Sequence, residues 1–206
     1  IIIDDKLPKE LNDMAATLAK VKATNPDVLT VSGHSKGALT AIRQISEMQV
    51  DIPMLAMTHC DASKLAKQHG KKAEYALCAA QWHKSLSYKD KYFGNGMKYD
   101  KDFNAEYGYT PPYQAAESSA ALLVWKDAFE RANSTDTEKV RDALAKTDMQ
   151  TFYGNIKFGS GGQNTAKPMV LFQVICDGDK CENKVVAPTK WASAKLVHPV
   201  PKWSER

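Results

Sequence analysis

Short apolar runs and amphipathic stretches alternate over the first 80 residues of the chain. Each short apolar run predicts a strand, and each intervening stretch with apolar residues at 3.6-residue spacing predicts a helix. The predicted strands are Ile1–Ile3, Val28–Val31, Met54–Met57 and Glu74–Ala80; the predicted helices are Glu10–Ala23, Gly37–Met48 and Ala62–His69. This β-α-β-α-β-α-β order predicts an α/β fold in which helices flank a parallel sheet. The unbroken apolar run at Val28–Val31 also predicts a strand that is buried on both faces.

The pattern changes after residue 85, where helices dominate the prediction. They cover Lys98–Tyr107, Gln114–Ala132 and Asp136–Lys146, and Thr135 with Glu138 has the spacing of a capping box that begins the last helix. The apolar face of the long helix is predicted to contain Ala121, Val124, Trp125, Ala128 and Phe129. An extended segment follows at Phe152–Phe158. The apolar runs Met169–Ile175 and Lys184–Ala187, on either side of Asp177-Gly178, predict a β-hairpin.

Polar residues follow the predicted strands at their carboxyl ends, which is where parallel sheets bind ligands. Gly33, His34 and Ser35 follow the second strand, and Thr58, His59 and Cys60 follow the third. We expect these residues to contact a ligand. Trp82 follows the fourth strand, where it either lines the same pocket or packs into the core.

The segment Gly33-His34-Ser35-Lys36-Gly37 matches the G-x-S-x-G pattern of a serine hydrolase and lies between a strand and a helix. A hydrolase would use Ser35 as the nucleophile and needs an acid and then a histidine further along the chain. Only His83 and His198 lie far enough downstream, and no glycine-rich loop precedes Gly33 to supply an oxyanion donor. The pattern therefore favours a tight turn in which Ser35 caps the helix or contacts a ligand. The hydrolase remains the alternative function.

The four cysteines fall into two pairs that can form disulfides. Cys176 and Cys181 flank the predicted hairpin turn, and Cys60 and Cys78 end two strands that are expected to be neighbours. Zinc is disfavoured because the spacings contain no C-x-x-C pair, so no metal and no cofactor is expected. Two disulfides would indicate an oxidising compartment.

Composition and charge exclude several classes of protein. Apolar residues make up 43% of the 206 residues, which is typical of a globular chain. The net charge of +4 is spread along the sequence without a run of like charges, so no nucleic-acid surface is predicted. No apolar run reaches the ~20 residues that span a bilayer, so direct membrane insertion is not expected.

Several segments, taken in order, resemble one known family. Asn25-Pro26-Asp27-Val28-Leu29, Tyr107-Gly108-Tyr109-Thr110-Pro111, Asp127–Ala132 and Phe152–Phe158 are similar to the C-terminal half of periplasmic solute-binding proteins of the branched-chain amino acid ABC-transporter type. The resemblance implies the type I periplasmic-binding-protein fold, in which two α/β lobes close on a solute. Residues 1–86 and 166–206 are then expected to belong to the second lobe, and residues 87–165 to return to the first. The resemblance then implies that most of the first lobe and the opening βα of the second are missing, which would leave an incomplete clamshell.

The resemblance also implies a binding protein without catalytic residues. Its ligand positions match Gly33, His34, Ser35, Thr58, His59 and Cys60, together with Tyr113 and Glu117 in the first-lobe segment. The resemblance implies a small polar solute such as an amino acid, an amide or a small carboxylate. Ser119 and the pair His59-Cys60 depart from the leucine-binding pattern, which favours an amide, a small carboxylate or an aromatic acid over an amino acid. The implied partner is a membrane permease, the implied compartment is the periplasm, and the complete protein is expected to be a monomer. A receptor's ligand-sensing domain, which shares the fold, is a further alternative.

Overall fold

The computed structural model describes residues 1–8, 11–60 and 68–206, which form two compact units. Unit 1 contains residues 1–80 and 171–206, and unit 2 contains residues 81–170. No helix of the described residues is long and apolar enough to cross a membrane.

Unit 1 is built on one five-stranded sheet. Its strands are β1 (Leu29–Val31), β2 (Leu55–Met57), β3 (Leu77–Ala80), β8 (Val170–Asp177) and β9 (Lys180–Ala187), in the order β1-β2-β3-β8-β9. β1, β2 and β3 run parallel, as predicted, and β8 with β9 forms the predicted antiparallel hairpin. Gly178 occupies the hairpin turn with a φ of +57°, a conformation that glycine adopts without a steric penalty.

Two helices of unit 1 contact each other beside the sheet. These are α1 (Ala15–Thr24) and α2 (Ser35–Glu47), and the Met14 amide donates to Gln44 Oε1 at 2.7 Å. The predicted inward face of α2 is confirmed, since Ala38, Ala41, Ile42 and Ile45 are all buried. Of the helix predicted over Ala62–His69, only the last two positions belong to the described residues, and both are helical.

Unit 2 contains three helices and two small antiparallel sheets among its described residues. The helices are α3 (Gly96–Tyr107), α4 (Tyr113–Ala132) and α5 (Thr137–Ala145); the sheets pair β4 (Lys89–Asp90) with β5 (Gly94–Asn95) and β6 (Asp148–Gln150) with β7 (Asn155–Lys157). An aromatic cluster fills its centre, with the rings of Tyr99 and Phe152 stacked at 4.3 Å. The Asp90 carboxylate accepts from the amides of Phe93 at 2.7 Å and Phe152 at 2.6 Å, which fixes two segments around this cluster.

Two strand predictions need correction. Residues 1–3 are not a strand: Ile1 and Ile2 are exposed, and the sheet ends at β1 and β9. A strand requires a neighbour for its backbone groups, and this segment pairs with neither edge. β1 is also not buried on both faces, because it is itself an edge strand on which Thr30 is exposed.

Three helix predictions also need correction. The first helix was predicted to begin at Glu10, but residues 11–14 are not helical. Helix α1 begins at Ala15, whose amide donates a hydrogen bond to the Asp13 carboxylate. The N-cap of α5 is Asp136, whose side chain accepts from the Lys139 amide, and not the predicted Thr135. Trp125 and Phe129 on α4 are exposed, whereas its buried positions are Ala116, Ala120, Leu123, Val124 and Ala128. Small residues face inward because α5 packs closely against α4 through Val140 and Ala143.

Both disulfides form in unit 1. Cys60 bonds to Cys78, whose strands β2 and β3 are neighbours, and Cys176 bonds to Cys181 across the hairpin. All four cysteines are therefore used, and the chain has no free thiol.

Candidate functional site

The carboxyl ends of β1 and β2 bring the two predicted polar segments together in unit 1. Parallel pairing sets Val31 opposite Met57, so Gly33 and Thr58 leave the sheet side by side. Thr58 Oγ1 accepts from the Gly33 amide at 3.0 Å and donates to the Gly33 carbonyl at 3.1 Å. One hydroxyl thus fixes the relative position of two loops that follow different strands.

Two histidines stand next to each other at this end of the sheet. The rings of His34 and His59 have centroids 5.3 Å apart and an interplanar angle of 52°, and both residues are exposed. His59 has a φ of +52°, a left-handed backbone conformation that is uncommon for residues other than glycine. The pair presents ring nitrogens to solvent that can donate to or accept from a polar solute.

The remaining predicted residues of this group contribute differently. Ser35 is exposed and is the first residue of α2. Cys60 is 4% exposed and bonded to Cys78, so its thiol is not available to a solute. We call Gly33, His34, Ser35, Thr58 and His59 the strand-end group.

The strand-end group does not have the geometry of a serine hydrolase. Across the described residues, no histidine is hydrogen bonded to Ser35. His198 lies beside the carbonyl of Pro53, which precedes β2, and therefore at the opposite end of the sheet from Ser35. His83 belongs to unit 2 and contacts Ser85 Oγ at 2.8 Å. This mechanism requires a general base at the Ser35 hydroxyl, and the part of the chain that the structure describes provides none there.

Unit 2 carries a second group of polar residues, in the lining of an open groove of about 750 Å³. Glu117 lies near the start of α4, one helical turn after Tyr113, and is exposed. Lys167, Tyr153 and Gln81 line the same groove as Glu117. The sequence singled out Tyr113 and Glu117 but missed the other three, because no spacing pattern relates residues 81, 153 and 167.

Lys167 is the cation of this second group. Its Nζ donates to the Gln81 carbonyl and lies 4.4 Å from the centre of the Tyr153 ring. Burial disfavours the charged ammonium and lowers the pKa of Lys167 to about 8, while the carboxylate of Glu117 acts in the opposite direction. Burial also raises the pKa of Tyr153, so its hydroxyl stays protonated at neutral pH.

Trp82 lies in the aromatic cluster of unit 2. It is 4% exposed, its indole Nε1 donates to the Phe152 carbonyl at 3.4 Å, and its ring meets those of Tyr99 and Phe152 edge-on. Little of its surface is accessible, so its role as a pocket residue stays a prediction. Within the described residues, no group of three or more histidine, cysteine or acidic side chains has the geometry to hold a metal ion.

The comparisons with known proteins point in one direction. A family model described as periplasmic binding protein matches residues 2–180. The leucine-binding protein LivK from Thermotoga maritima is similar in structure, with a TM-score of 0.70 at 22% identity over 86% of this chain and 49% of that one. A leucine-, isoleucine-, valine-, threonine- and alanine-binding protein from Brucella ovis, in its closed conformation, gives 0.72 at 16% identity over 93% of this chain and 50% of that one.

A third similar structure was solved with an aromatic acid. It is an ABC-transporter solute-binding protein from R. palustris in complex with benzoate, with a TM-score of 0.63 at 17% identity over 88% of this chain and 49% of that one. The chain spans about half the length of each of these three proteins. At these identities the likeness concerns the fold, and the bound solutes are those of the other proteins.

Proposed function

The chain belongs to the periplasmic binding protein family, and from that premise we propose that it is the solute-binding component of an ABC importer. It captures a small polar solute, such as an amino acid, an amide or a small carboxylate, and delivers it to a membrane permease. It carries out no chemistry on the solute.

The observation that carries this proposal is the strand-end group. Thr58 and Gly33 hold two loops together, and the histidine pair beside them offers polar contacts to a solute. Donors and acceptors that are held in position at the carboxyl ends of parallel strands are suited to reversible binding.

The energetic demand on such a site is modest. Micromolar affinity corresponds to about −8 kcal/mol, which a few charge-assisted hydrogen bonds and one apolar contact surface can supply. A solute then favours whichever conformation it contacts best, and only that difference in affinity shifts the population. One similar structure is that of a leucine-binding protein and another is in complex with benzoate, and these two compounds set the size of solute to test first.

The compartment follows from the same premise. We propose a periplasmic location, in agreement with two disulfides, which persist in oxidising surroundings. The permease partner and the monomeric state are part of the proposal.

Replacing His59 tests the proposed site. We choose His59→Asn because asparagine tolerates a positive φ while removing the ring. The matched control is His198→Asn, which removes a histidine at the opposite end of the sheet. Isothermal titration with a panel of amino acids, their amides and benzoate should find a ligand whose Kd rises about tenfold in His59→Asn and is unchanged in His198→Asn. Equal effects of the two variants on Kd would show that the strand-end group is not part of the binding site.

A further inference from the structure

The unit 2 groove is lined by apolar and by charged side chains. The apolar side chains include Ala120, Val124, Trp125, Ile156 and Phe158, and the charged ones are Lys167, Glu117 and Arg141. Arg141 forms ion pairs with Glu138 and Asp142. Lys167 and Glu117 have opposite charges. Within the described residues they share the groove without forming an ion pair with each other.

The backbone of Gly154 provides the slot for the Lys167 side chain. A Cβ atom at position 154 would lie 2.7 Å from Lys167 Cε and closer still to Cδ, so any larger residue there would displace the lysine. Gly154 is itself buried and is held by hydrogen bonds with Thr151. The stem of Lys167 is therefore fixed along its length.

The position of the Lys167 ammonium is fixed as well. The Gln81 carbonyl accepts one of its protons, and the face of the Tyr153 ring lies 4.4 Å from Nζ. An ammonium group has three protons, and the Gln81 carbonyl uses one of them. A half-buried cation that retains donors in a groove is a strong binding point for an anion.

We infer that Lys167 is a specificity-determining residue that binds the acidic group of the solute, and that Glu117 restricts this binding to solutes that also carry a cationic group. The inference rests on the proposed function and specifies how unit 2 selects the solute. The structure gives the reason for the restriction: a simple carboxylate on Lys167 would face the negative charge of Glu117, whereas a zwitterion satisfies both charges.

The charge state of Lys167 supports this role. Its pKa near 8 leaves it mostly protonated at neutral pH, and an anion at Nζ would stabilise the ammonium further. Glu117, Arg141 and Tyr153 are the titratable groups that line the groove with it, and Tyr153 stays neutral because burial raises its pKa.

The test compares each amino acid of the panel with its des-amino acid, which keeps the carboxylate and the apolar body. Titrations use the unmodified 206-residue chain, Lys167→Met, Glu117→Gln and the control Lys101→Met, an exposed lysine on α3. For the best amino acid we expect at least tenfold weaker binding in Lys167→Met, no change in Lys101→Met and at least tenfold weaker binding in Glu117→Gln. The des-amino acid should bind Glu117→Gln more tightly than it binds the unmodified chain.

Circular dichroism melts establish that each variant is folded, and the comparison of the two ligand types on the unmodified chain needs no variant. If the des-amino acid binds as tightly as the amino acid, or if Lys167→Met binds both normally, the inference is wrong while solute binding stands. If no compound of the panel binds the unmodified chain, the proposed function itself fails.

Discussion

Thr58 shows at the scale of single residues how the fold creates a binding surface. Its hydroxyl makes two hydrogen bonds to the backbone of Gly33 and so determines where the loop of His34 lies. The rigid part is therefore the backbone, and the exposed histidines are attached to it. A residue that fixes the backbone of a binding surface can control affinity in this way.

Replacing Thr58 by valine should loosen the strand-end group. Valine keeps the shape but leaves two backbone groups of Gly33 without their protein partner, which costs about 1 kcal/mol at an exposed site. We expect the Kd for the solute to rise about tenfold, measured by isothermal titration. Thr30→Val, on the exposed face of β1, is the control and should change neither stability nor affinity. Unchanged affinity in Thr58→Val would show that the two loops need no such tie.

Lys167 gives a pH dependence with a definite sign. Its pKa in the folded chain is about 8, below the ordinary lysine value of roughly 10.4 that applies after unfolding. Between these values the unfolded chain binds more protons, so the contribution of Lys167 to stability rises with pH.

Urea unfolding of the unmodified chain and of Lys167→Met, at pH 7.5 and at pH 10, measures this effect. The unmodified chain should gain about 1–2 kcal/mol relative to the variant over that interval, after discounting for partial solvent screening. Below about pH 7, where Lys167 is protonated in both states, the difference between the two proteins should not change with pH. A difference that is constant up to pH 10 would mean that Lys167 titrates as an ordinary surface lysine.

At the scale of elements, α5 shows how two adjacent capping residues compete for one helix end. The spacing of Thr135 and Glu138 predicts a capping box, yet Asp136 accepts the Lys139 amide at 3.0 Å. The Ser134 hydroxyl in turn accepts a hydrogen bond from the Asp136 amide at 3.1 Å, which positions the aspartate. Both Thr135 and Asp136 are good N-cap types, and only the path of the chain after α4 decides between them.

Single substitutions at positions 135 and 136 show which of the two residues caps α5. Asp136→Ala should destabilise the chain by about 1 kcal/mol, or roughly 2–4 °C in Tm, because the Lys139 amide loses its acceptor. Thr135→Ala should stay within about 0.5 kcal/mol of the unmodified chain. Thermal unfolding monitored by circular dichroism gives both values. A larger loss of stability in Thr135→Ala than in Asp136→Ala would favour the predicted capping box.

The elements that local pattern predicted well are those whose buried side is unambiguous. The inward face of α2 followed from its spacing because the opposite face is polar. The helix α4 has apolar residues around most of its circumference, so its buried face depends on which neighbour packs there. The burial of β1 failed for a related reason: an apolar run does not reveal whether a strand lies inside a sheet or at its edge.

The site was predictable only in part, for the same physical reason. The strand-end group followed from the rule that parallel sheets bind ligands beyond their carboxyl ends. Lys167 did not, because its position depends on the slot at Gly154 and on the Gln81 carbonyl, which the sequence places far apart. Contacts of this kind require the tertiary structure.

At the scale of the whole chain, the fold predicted from the family resemblance is confirmed by the family match over residues 2–180 and by the similar solved structures. The two compact units, 1–80 with 171–206 and 81–170, are a property of the structure. Assigning residues 1–86, 87–165 and 166–206 to particular lobes of the family fold stays a prediction.

The two disulfides should stabilise unit 1 unequally. Loop-closure entropy gives about 3 kcal/mol for the bridge between Cys60 and Cys78, with a separation of 18 residues, and about 2 kcal/mol for the bridge between Cys176 and Cys181, with a separation of 5. Urea unfolding of Cys60→Ala/Cys78→Ala and Cys176→Ala/Cys181→Ala under non-reducing conditions compares them. The first pair should lose more stability. A larger loss in the hairpin pair would contradict the entropic argument.

The central claim is that the chain binds a small polar solute reversibly and leaves it unchanged. The most direct measurement is a titration of the purified chain with the amino acid, amide and carboxylate panel, followed by mass spectrometry of the solute after its release. We predict saturable binding with a Kd in the micromolar range, and a released solute of unaltered mass. No saturable binding to any compound, or a released compound that has been hydrolysed in a manner lost in Ser35→Ala, would contradict the account.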